Sequence, residues 1–512
     1  MPEQLRSDKS RARFMELANS VTNAGDAGAR LVPVWREVLL DTDTPVTAYA
    51  KLRRGPFGFL LESAPAGGET WARYTYLGTE PFAAWRLRDG TVDDWDSSRG
   101  WHSSRQPEDP LADLDEIISR VRPVDAGELG EFWSGAVGYF GYDVVRLIER
   151  LPDRPRPSSA APDALFVLTR SMVVIDNLRS QARVVIGVEV IPGMTEQELS
   201  ALYVAAREEI DEIEARLRGP GSLAPLTLDN DARAAKGNSS IGRKEFIDKV
   251  EVIREHIRAG DCFQALLSRR IELDADFDCT TLYRSLRVLN PSPYMYHLVL
   301  DDVEIVGSSP ELLVRLDGNR VTLRPIAGTR PRGTTPSRDD ELARELLADP
   351  KERAEHIMLV DLGRNDVGRV SQFGTVAVTE LMRIEKYSHV LHIVSQVEGA
   401  LDRERGAMDV FRATFPAGTM TGAPKVRAMQ IIDDLEPVSR GPYAGAIGFI
   451  SGGGSRMELA ITIRTCVVAG GVASVQAGAG IVADSVGETE WEETESKARA
   501  ILSAIGQARS AG

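Results

Sequence analysis

Apolar positions along this chain recur with two periods, and the two sort it into strands and helices. Short apolar runs bounded by glycine and proline predict strands at TPVTAYAKL (44–52), ALFVLTRSMVVIDN (164–177), VEIVGSSPELLVRL (303–316), YAGAIGFI (443–450) and MELAITIRTCVVAG (457–470). Longer polar-apolar patterns predict helices near Thr195 to Leu217 and over 242–259, 338–363 and 489–505. In VVAGGVASVQAG (467–478) two strand runs meet across a glycine turn, the sign of a hairpin. Regular strand-helix-strand alternation is missing, so the expected class is α+β with antiparallel sheets.

The segment Arg218 to Ser240 is rich in Gly, Pro, Ser and Asn and reads as a connector. It divides the chain into a first region over 20–217, the connector over 218–238, and a second region over 239–507. The opening stretch MPEQLRSDKSRARF is polar, and the first ~20 residues are expected to fray.

Composition narrows the function. The 512 residues are 43% hydrophobic and 27% charged, ordinary for a globular protein, and the formal net charge of −15 argues against nucleic acid as a principal partner. Cys262, Cys279 and Cys466 form neither a disulfide framework nor a metal-ligand spacing. No apolar run reaches the ~18 residues of a membrane span, and no secretory signal is visible. The expectation is a soluble protein of the reducing cytoplasm.

Four glutamates in two distant pairs carry the most chemistry. Glu352 and Glu355 in KERAEH, and Glu490 and Glu493 in ETEWEETESK, are each three apart, so each pair shares a helix face. Two such faces meeting would suit Mg²⁺, which takes oxygen ligands and often only one or two direct carboxylates. Helix capping is the competing reading. Asp349, Pro350 and Glu352 fit an N-cap, a first-turn proline and a capping-box glutamate, and Thr489 with Glu492 repeats the box. A GxGxxA match at Gly478, Gly480 and Ala483 lacks the helix that a dinucleotide fingerprint must open, so it is set aside; glycines there still allow backbone N–H groups to approach an anion.

RPIAGTRPRG (324–333), FPAGTMTGAPK (415–425) and QAGAGIV (476–482) add a density of Gly, Thr, Arg and Lys that a core does not require. With KERAEHIMLVDLGRND (351–366) and ETEWEETESKA (488–498), they resemble the anthranilate synthase large subunits within the chorismate-utilising enzyme family, over essentially all of 239–507. The resemblance implies that family's fold, large antiparallel sheets in a sandwich with helices packed outside. It also implies the reaction of chorismate and ammonia to anthranilate and pyruvate with Mg²⁺. Glu355 and Glu493 would be the direct metal ligands, with Glu352 and Glu490 holding its waters.

Other roles follow from the same resemblance. Glu311 in SSPELL matches a general acid for the departing C4 hydroxyl, and Thr329 a hydroxyl contact near the ring, with Gly328 allowing close approach. Arg464 and Tyr443 match a clamp on the enolpyruvyl carboxylate; Gly478, Gly480 and Lys497 match the ring-carboxylate site. His392, the second histidine of SHVLHIV and a better fit than His389, matches the group that assists pyruvate elimination. Gln264 stands where water-using relatives carry a lysine base, and Ala327 where aminodeoxychorismate-forming relatives carry a lysine nucleophile, so direct amination at C2 by ammonia is expected. None of the cysteines sits in a glutaminase-like turn, which implies a separate glutamine amidotransferase subunit and a hetero-oligomer. LLES (60–63) and NPSPYMY (290–296) resemble a tryptophan inhibitor site formed by Glu62, Ser63, Pro293, Tyr294 and Met295, with Glu62 facing the amino group.

Overall fold

The computed structural model describes residues 3–23, 28–63, 73–152, 160–229, 231–387 and 390–511, with side chains from residue 10 onward except that of Glu128. Two 12-stranded antiparallel sheets form a sandwich with helices outside. Both sheets are continuous across the connector. In the first, Phe57–Glu62 pairs with Tyr294–Leu300; in the second, Gly135–Phe140 pairs with Ala446–Ser451. The regions on either side of residues 218–238 therefore each contribute strands to both sheets.

The strand Gly135–Phe140 is buried on both faces, and its period of two divides it between two cores. Val137 and Tyr139 join Leu60 and Tyr76 of the first sheet in the core between the sheets. Ala136 and Phe140 point outward, where Phe140 stacks on Phe411 of the helix Ala407–Thr414 at 4.0 Å. Tyr76 and Phe449 meet edge to face across the sandwich at 5.7 Å. At the join in the second sheet Gly138 lies opposite Gly448. A Cβ on Gly138 would stand 2.0 Å from the Leu165 carbonyl oxygen, so only glycine admits this approach.

Several expectations change. TPVTAYAKL is the helix Pro45–Leu52: Thr44 caps it in a reciprocal box with Thr47 and Pro45 opens its first turn, outweighing a short alternation. The opening residues form a helix, Glu3–Thr22, that buries Phe14, Leu17, Ala18 and Val21 at helical spacing against the strand Arg30–Leu39. The helix expected over 338–363 is two, Pro336–Ala348 and Pro350–Gly368, because the residue before Pro350 is driven out of helical geometry; Asp349 then caps the second. The last helix runs Gly487–Ser510 with no side-chain cap, so Thr489 and Glu492 are not a capping box. The helix Glu196–Arg218 and the hairpin of Thr465–Ala469 with Val472–Ile481 form as expected, the latter turning on Gly470 and Gly471 at φ 59° and 77°.

Three runs read as single strands are each two strands in different sheets. Ala164–Thr169 and Ser171–Asp176 separate at Arg170, Val303–Ser309 and Leu312–Asp317 at Pro310 and Glu311, and Arg456–Ile461 and Thr465–Ala469 at Thr462 to Arg464. Each crossover carries the chain from one sheet to the other. Strand-forming residues continue on both sides of it, so each run reads as one strand.

Gly138→Ala should lower folding stability by roughly 1–3 kcal/mol through overpacking, seen as a lower urea midpoint at unchanged slope. Unaltered stability would contradict the close-approach argument.

Candidate active site

A cavity of about 700 Å³ lies where the crossovers, strand ends and two helices converge. The helix Pro350–Gly368 packs on strands of the second sheet and the helix Gly487–Ser510 on the first. Their paired glutamates, Glu352 with Glu355 and Glu490 with Glu493, line the same space. So do Gln264, Glu311, Ala327, Gly328, Thr329 and His392, and the proposed anion contacts Tyr443, Arg464, Gly478, Gly480 and Lys497. Every residue singled out for substrate, metal or catalysis thus borders one cavity.

Charge in the cavity is incompletely paired. Arg464 sits at a sheet crossover with φ 52°, an uncommon conformation for a side chain of its size. Among the described residues no carboxylate lies within 4.0 Å of its guanidinium. Burial lowers its pKa, opposed by Tyr443, Glu493 and Glu311; an arginine nevertheless stays cationic. Lys497 is shared between Glu493, at 2.6 Å, and the Gly478 carbonyl, at 2.9 Å. An arriving carboxylate would find one unpaired cation and one shared cation.

The glutamates show the reverse imbalance. Burial raises Glu355, with Glu352 and Glu493 adding to the rise against a bond from Gln264. Burial also raises Glu490, and Glu493 adds to that rise against a bond from Ser485. Glu352 is bonded to Arg330 at 3.0 Å. Among the described residues no three acidic, histidine or cysteine side chains stand close enough to enclose an ion. Arg330 and Lys497 pair Glu352 and Glu493, and Lys351 offsets part of the rise in Glu355 and Glu490, so negative charge on the two helices is only partly matched, which fits a hydrated divalent cation with few direct ligands.

Two groups are placed for proton transfer. Burial raises the Glu311 carboxyl to about 7, against the Thr419 hydroxyl, which donates to it at 2.9 Å, and the charges of Lys497 and Arg464. It is therefore a carboxylic acid that stays partly protonated near neutral pH. His392 Nδ1 lies 3.0 Å from the Gly328 carbonyl, which can only accept, so the proton sits on Nδ1 and Nε2 keeps its lone pair. Burial lowers the His392 pKa and keeps the ring neutral. Gly328, at φ 70°, supplies the turn that brings that carbonyl round.

Gln264 is 8% exposed and its Nε2 donates to Glu355 at 3.2 Å, while its Oε1 is buried without a partner. A buried acceptor left open is costly and fits a small donor ligand. A Cβ at Gly480 would stand 2.5 Å from Gln264 Nε2, so a side chain there would displace the amide.

A second cavity of about 450 Å³ lies between the sheets and is lined by Glu62, Ser63, Pro293, Tyr294 and Met295, with Tyr76 and Phe449. The Glu62 carboxylate faces elsewhere than expected: Arg287 and Tyr283 already bond it, at 2.6 and 2.9 Å. Glu131 and Glu458, both paired with Arg315, are the other acidic groups on this cavity. The two cavities share a wall. Asn290, Pro291 and Ser292 border the large cavity, Pro293 to Tyr296 the other, and Ser308, three residues before Glu311, bonds the Asn290 carbonyl.

Sequence reasoning did not single out Thr419, Lys351, Gln476 or Tyr387, which also line the large cavity. Thr419 lay inside the noted FPAGTMTGAPK segment, but its bond to Glu311 spans 108 residues and has no local signature. His389 lies outside the described residues.

The chorismate binding enzyme family model matches residues 69–503. Anthranilate synthase component 1 of Aquifex aeolicus is 44% identical over 476 residues, 93% of this chain and 94% of that protein. The Pseudomonas putida protein of the same name is 43% identical over 511 residues, covering 98% and 99%. Among solved structures, anthranilate synthase component I of Streptococcus pneumoniae aligns at TM-score 0.73 and 36% identity, covering 91% and 99% of the two chains. The menaquinone-specific isochorismate synthase of Escherichia coli shares the fold at TM-score 0.68 and 17% identity, covering 98% and 100%.

A carboxyl titration by infrared difference spectroscopy should show protonation near pH 7 that disappears in Glu311→Gln. Because the Thr419 hydroxyl stabilises the charged form, Thr419→Val should move that midpoint upward. A midpoint in the ordinary carboxylate range would contradict the enclosure of Glu311.

Proposed function

The chain belongs to the chorismate binding enzyme family, among the anthranilate synthase component 1 proteins of tryptophan biosynthesis, and from that premise we propose that it aminates chorismate with ammonia and releases anthranilate and pyruvate. The observation that carries the reading is the single cavity in which unpaired Arg464 and shared Lys497 oppose crowded carboxylates. A dianionic substrate needs both cations, and its approach to glutamates needs a further one.

Ammonia adds at C2 from beside Gln264, whose open Oε1 accepts an N–H. The ring double bonds shift, the C4–O bond breaks, and Glu311 gives its proton to the departing oxygen, producing water and 2-amino-4-deoxyisochorismate. Neutral His392 then takes the C2 proton as the C3–O bond breaks, and the enolpyruvyl group leaves as pyruvate once its methylene is protonated. Tyr443 and Arg464 hold the enolpyruvyl carboxylate, Thr329 borders the ring, and Lys497 with the Gly478 and Gly480 backbone holds the ring carboxylate. Mg²⁺, with Glu355 and Glu493 as direct ligands and Glu352 and Glu490 on its waters, would neutralise the ring carboxylate and withdraw electron density from the ring. The bond from Arg330 suits Glu352 to that outer place.

Ammonia comes from a separate glutaminase subunit. Cys262, Cys279 and Cys466 are all buried, and burial raises each thiol, leaving none of them a ready nucleophile. Ala327 offers no nucleophile for a covalent route, which favours anthranilate over an aminodeoxychorismate product. Tryptophan inhibits from the second cavity: Tyr76 and Phe449 flank the indole, Ser63 and the acids Glu131 and Glu458 meet its polar end, and the 290–294 segment carries the shift to the large cavity.

Purified chain with chorismate, Mg²⁺ and ammonium should form fluorescent anthranilate, stop with EDTA, and be suppressed by tryptophan. Ser63→Ala should keep the basal rate and weaken suppression about tenfold or more, in line with a lost buried hydrogen bond. Chorismate consumption to a product that retains the enolpyruvyl group would overturn the assignment, and equal suppression of Ser63→Ala would overturn the inhibitor site.

A further inference from the structure

Glu436 and Arg440 form an ion pair that does not line the large cavity, 6% and 3% exposed, joined through both carboxylate oxygens at 2.7 and 2.9 Å. A buried pair seldom stabilises a fold more than apolar side chains of similar volume would, so its presence calls for another reason. Its remaining bonds supply one, because they lead to residues that line the cavity. Arg440 Nη1 donates to the Met420 carbonyl at 2.6 Å and Nη2 to the Leu266 carbonyl at 3.0 Å, and the guanidinium lies 5.9 Å from the centre of the Tyr443 ring. Glu436 accepts from the Ser268 hydroxyl and amide N–H at 2.7 and 2.8 Å, and Ser268 Oγ accepts in turn from Gln476 Nε2 at 2.8 Å. We propose that Glu436 and Arg440 are positioning residues for the reaction, holding from outside the cavity the wall that carries Thr419, Tyr443 and Gln476.

The role rests on the reading of this cavity as the chorismate site and of Glu311 as its acid. Met420 ends the short turn Gly418–Met420, which carries Thr419 and its hydroxyl bond to Glu311. Anchoring the Met420 carbonyl therefore fixes the partner of the acid. Ser268 gives its only hydroxyl proton to a carboxylate, so its Oγ must take an N–H from Gln476. That sets the amide with Nε2 toward Ser268 and leaves Oε1, among the described residues, buried without a partner. Tyr443 follows Arg440 closely in the chain, and its amide N–H bonds the Arg440 carbonyl. The pair thus joins four pieces of the wall: the strands Gln264–Asp274 and Val472–Ile481, the turn at 418–420, and the segment after the helix Lys425–Leu435. A planar fork reaches a carboxylate and two carbonyls at once, and an ammonium can match its charge but not its geometry. The charges that act on Glu311, Lys497 and Arg464, and the nearby Asp366 and Arg324, all lie on other elements. Loosening the pair should reach Glu311 through Thr419.

Arg440→Lys keeps the charge opposite Glu436 and gives up the fork, so it separates geometry from charge balance. Because the Thr419 hydroxyl favours the charged form of Glu311, a loosened turn should move the Glu311 midpoint, followed by infrared difference spectroscopy, upward from about 7. The alkaline limb of the kcat profile should move the same way, since the acid keeps its proton to higher pH. The KM for chorismate should rise about tenfold as Tyr443 and Gln476 lose their setting, the size of one lost buried hydrogen bond. Glu436→Gln keeps the length and an acceptor for Ser268, should shift both quantities less in the same direction, and serves if the lysine variant does not fold. A folded variant with lowered stability but an unmoved Glu311 midpoint and unchanged KM would overturn the proposal and leave the pair a merely structural one. The midpoint is read without substrate. Failure of the unaltered chain to consume chorismate would instead refute the function on which the role rests.

Discussion

The arrangement depends on an electrostatic mismatch held in one cavity. Glu355 and Glu490 are half-buried near Glu493 on helices that pack on different sheets, and desolvation with repulsion from Glu493 raises both. Arg464 lies half-buried in the same space without an ion-pair partner among the described residues. Groups of either sign could have relaxed by pairing, as Arg440 and Glu436 do nearby at 2.7 Å. Keeping them apart costs stability and leaves charge free for ligands.

The fold holds these groups apart. Glu311 and Arg464 stand at points where the chain passes from one sheet to the other, between strands anchored in both. Anchoring at both ends is what lets Arg464 keep φ 52° and lets Glu311 stay enclosed. The glutamate helices rest on different sheets, so the distance between the carboxylate pairs follows from how the sheets face each other. The Tyr76–Phe449 contact, which helps set that facing, also lines the second cavity. Under the proposed inhibition, a ligand held there would act on the packing that positions the first.

Much of this was legible in the residues. Three-residue glutamate spacing on helices, the Gly-Gly hairpin and the helix near Thr195 to Leu217 are local patterns, and all three form. The motif segments led to a set of residues that converges on one cavity. What sequence could not show was of longer range. Strand-forming residues flank each sheet crossover, and in VEIVGSSPELLVRL only Pro310 marks the break, without showing that Glu311 is left between two different sheets. Glu62 looked available because its partners, Tyr283 and Arg287, are 221 and 225 residues away. The helix at 3–22 was missed because its charged residues outweighed four apolar positions at helical spacing.

The most direct test is whether the unmatched carboxylates hold a divalent cation that substrate tightens. Mn²⁺ can be titrated into the protein and its free ion followed by electron paramagnetic resonance, with and without chorismate. The account predicts saturable binding that strengthens with chorismate, since ion and ring carboxylate would neutralise each other, and that is lost in the Glu355→Gln, Glu490→Gln double variant. Binding unaffected by that double substitution, or absent even with chorismate, would contradict it.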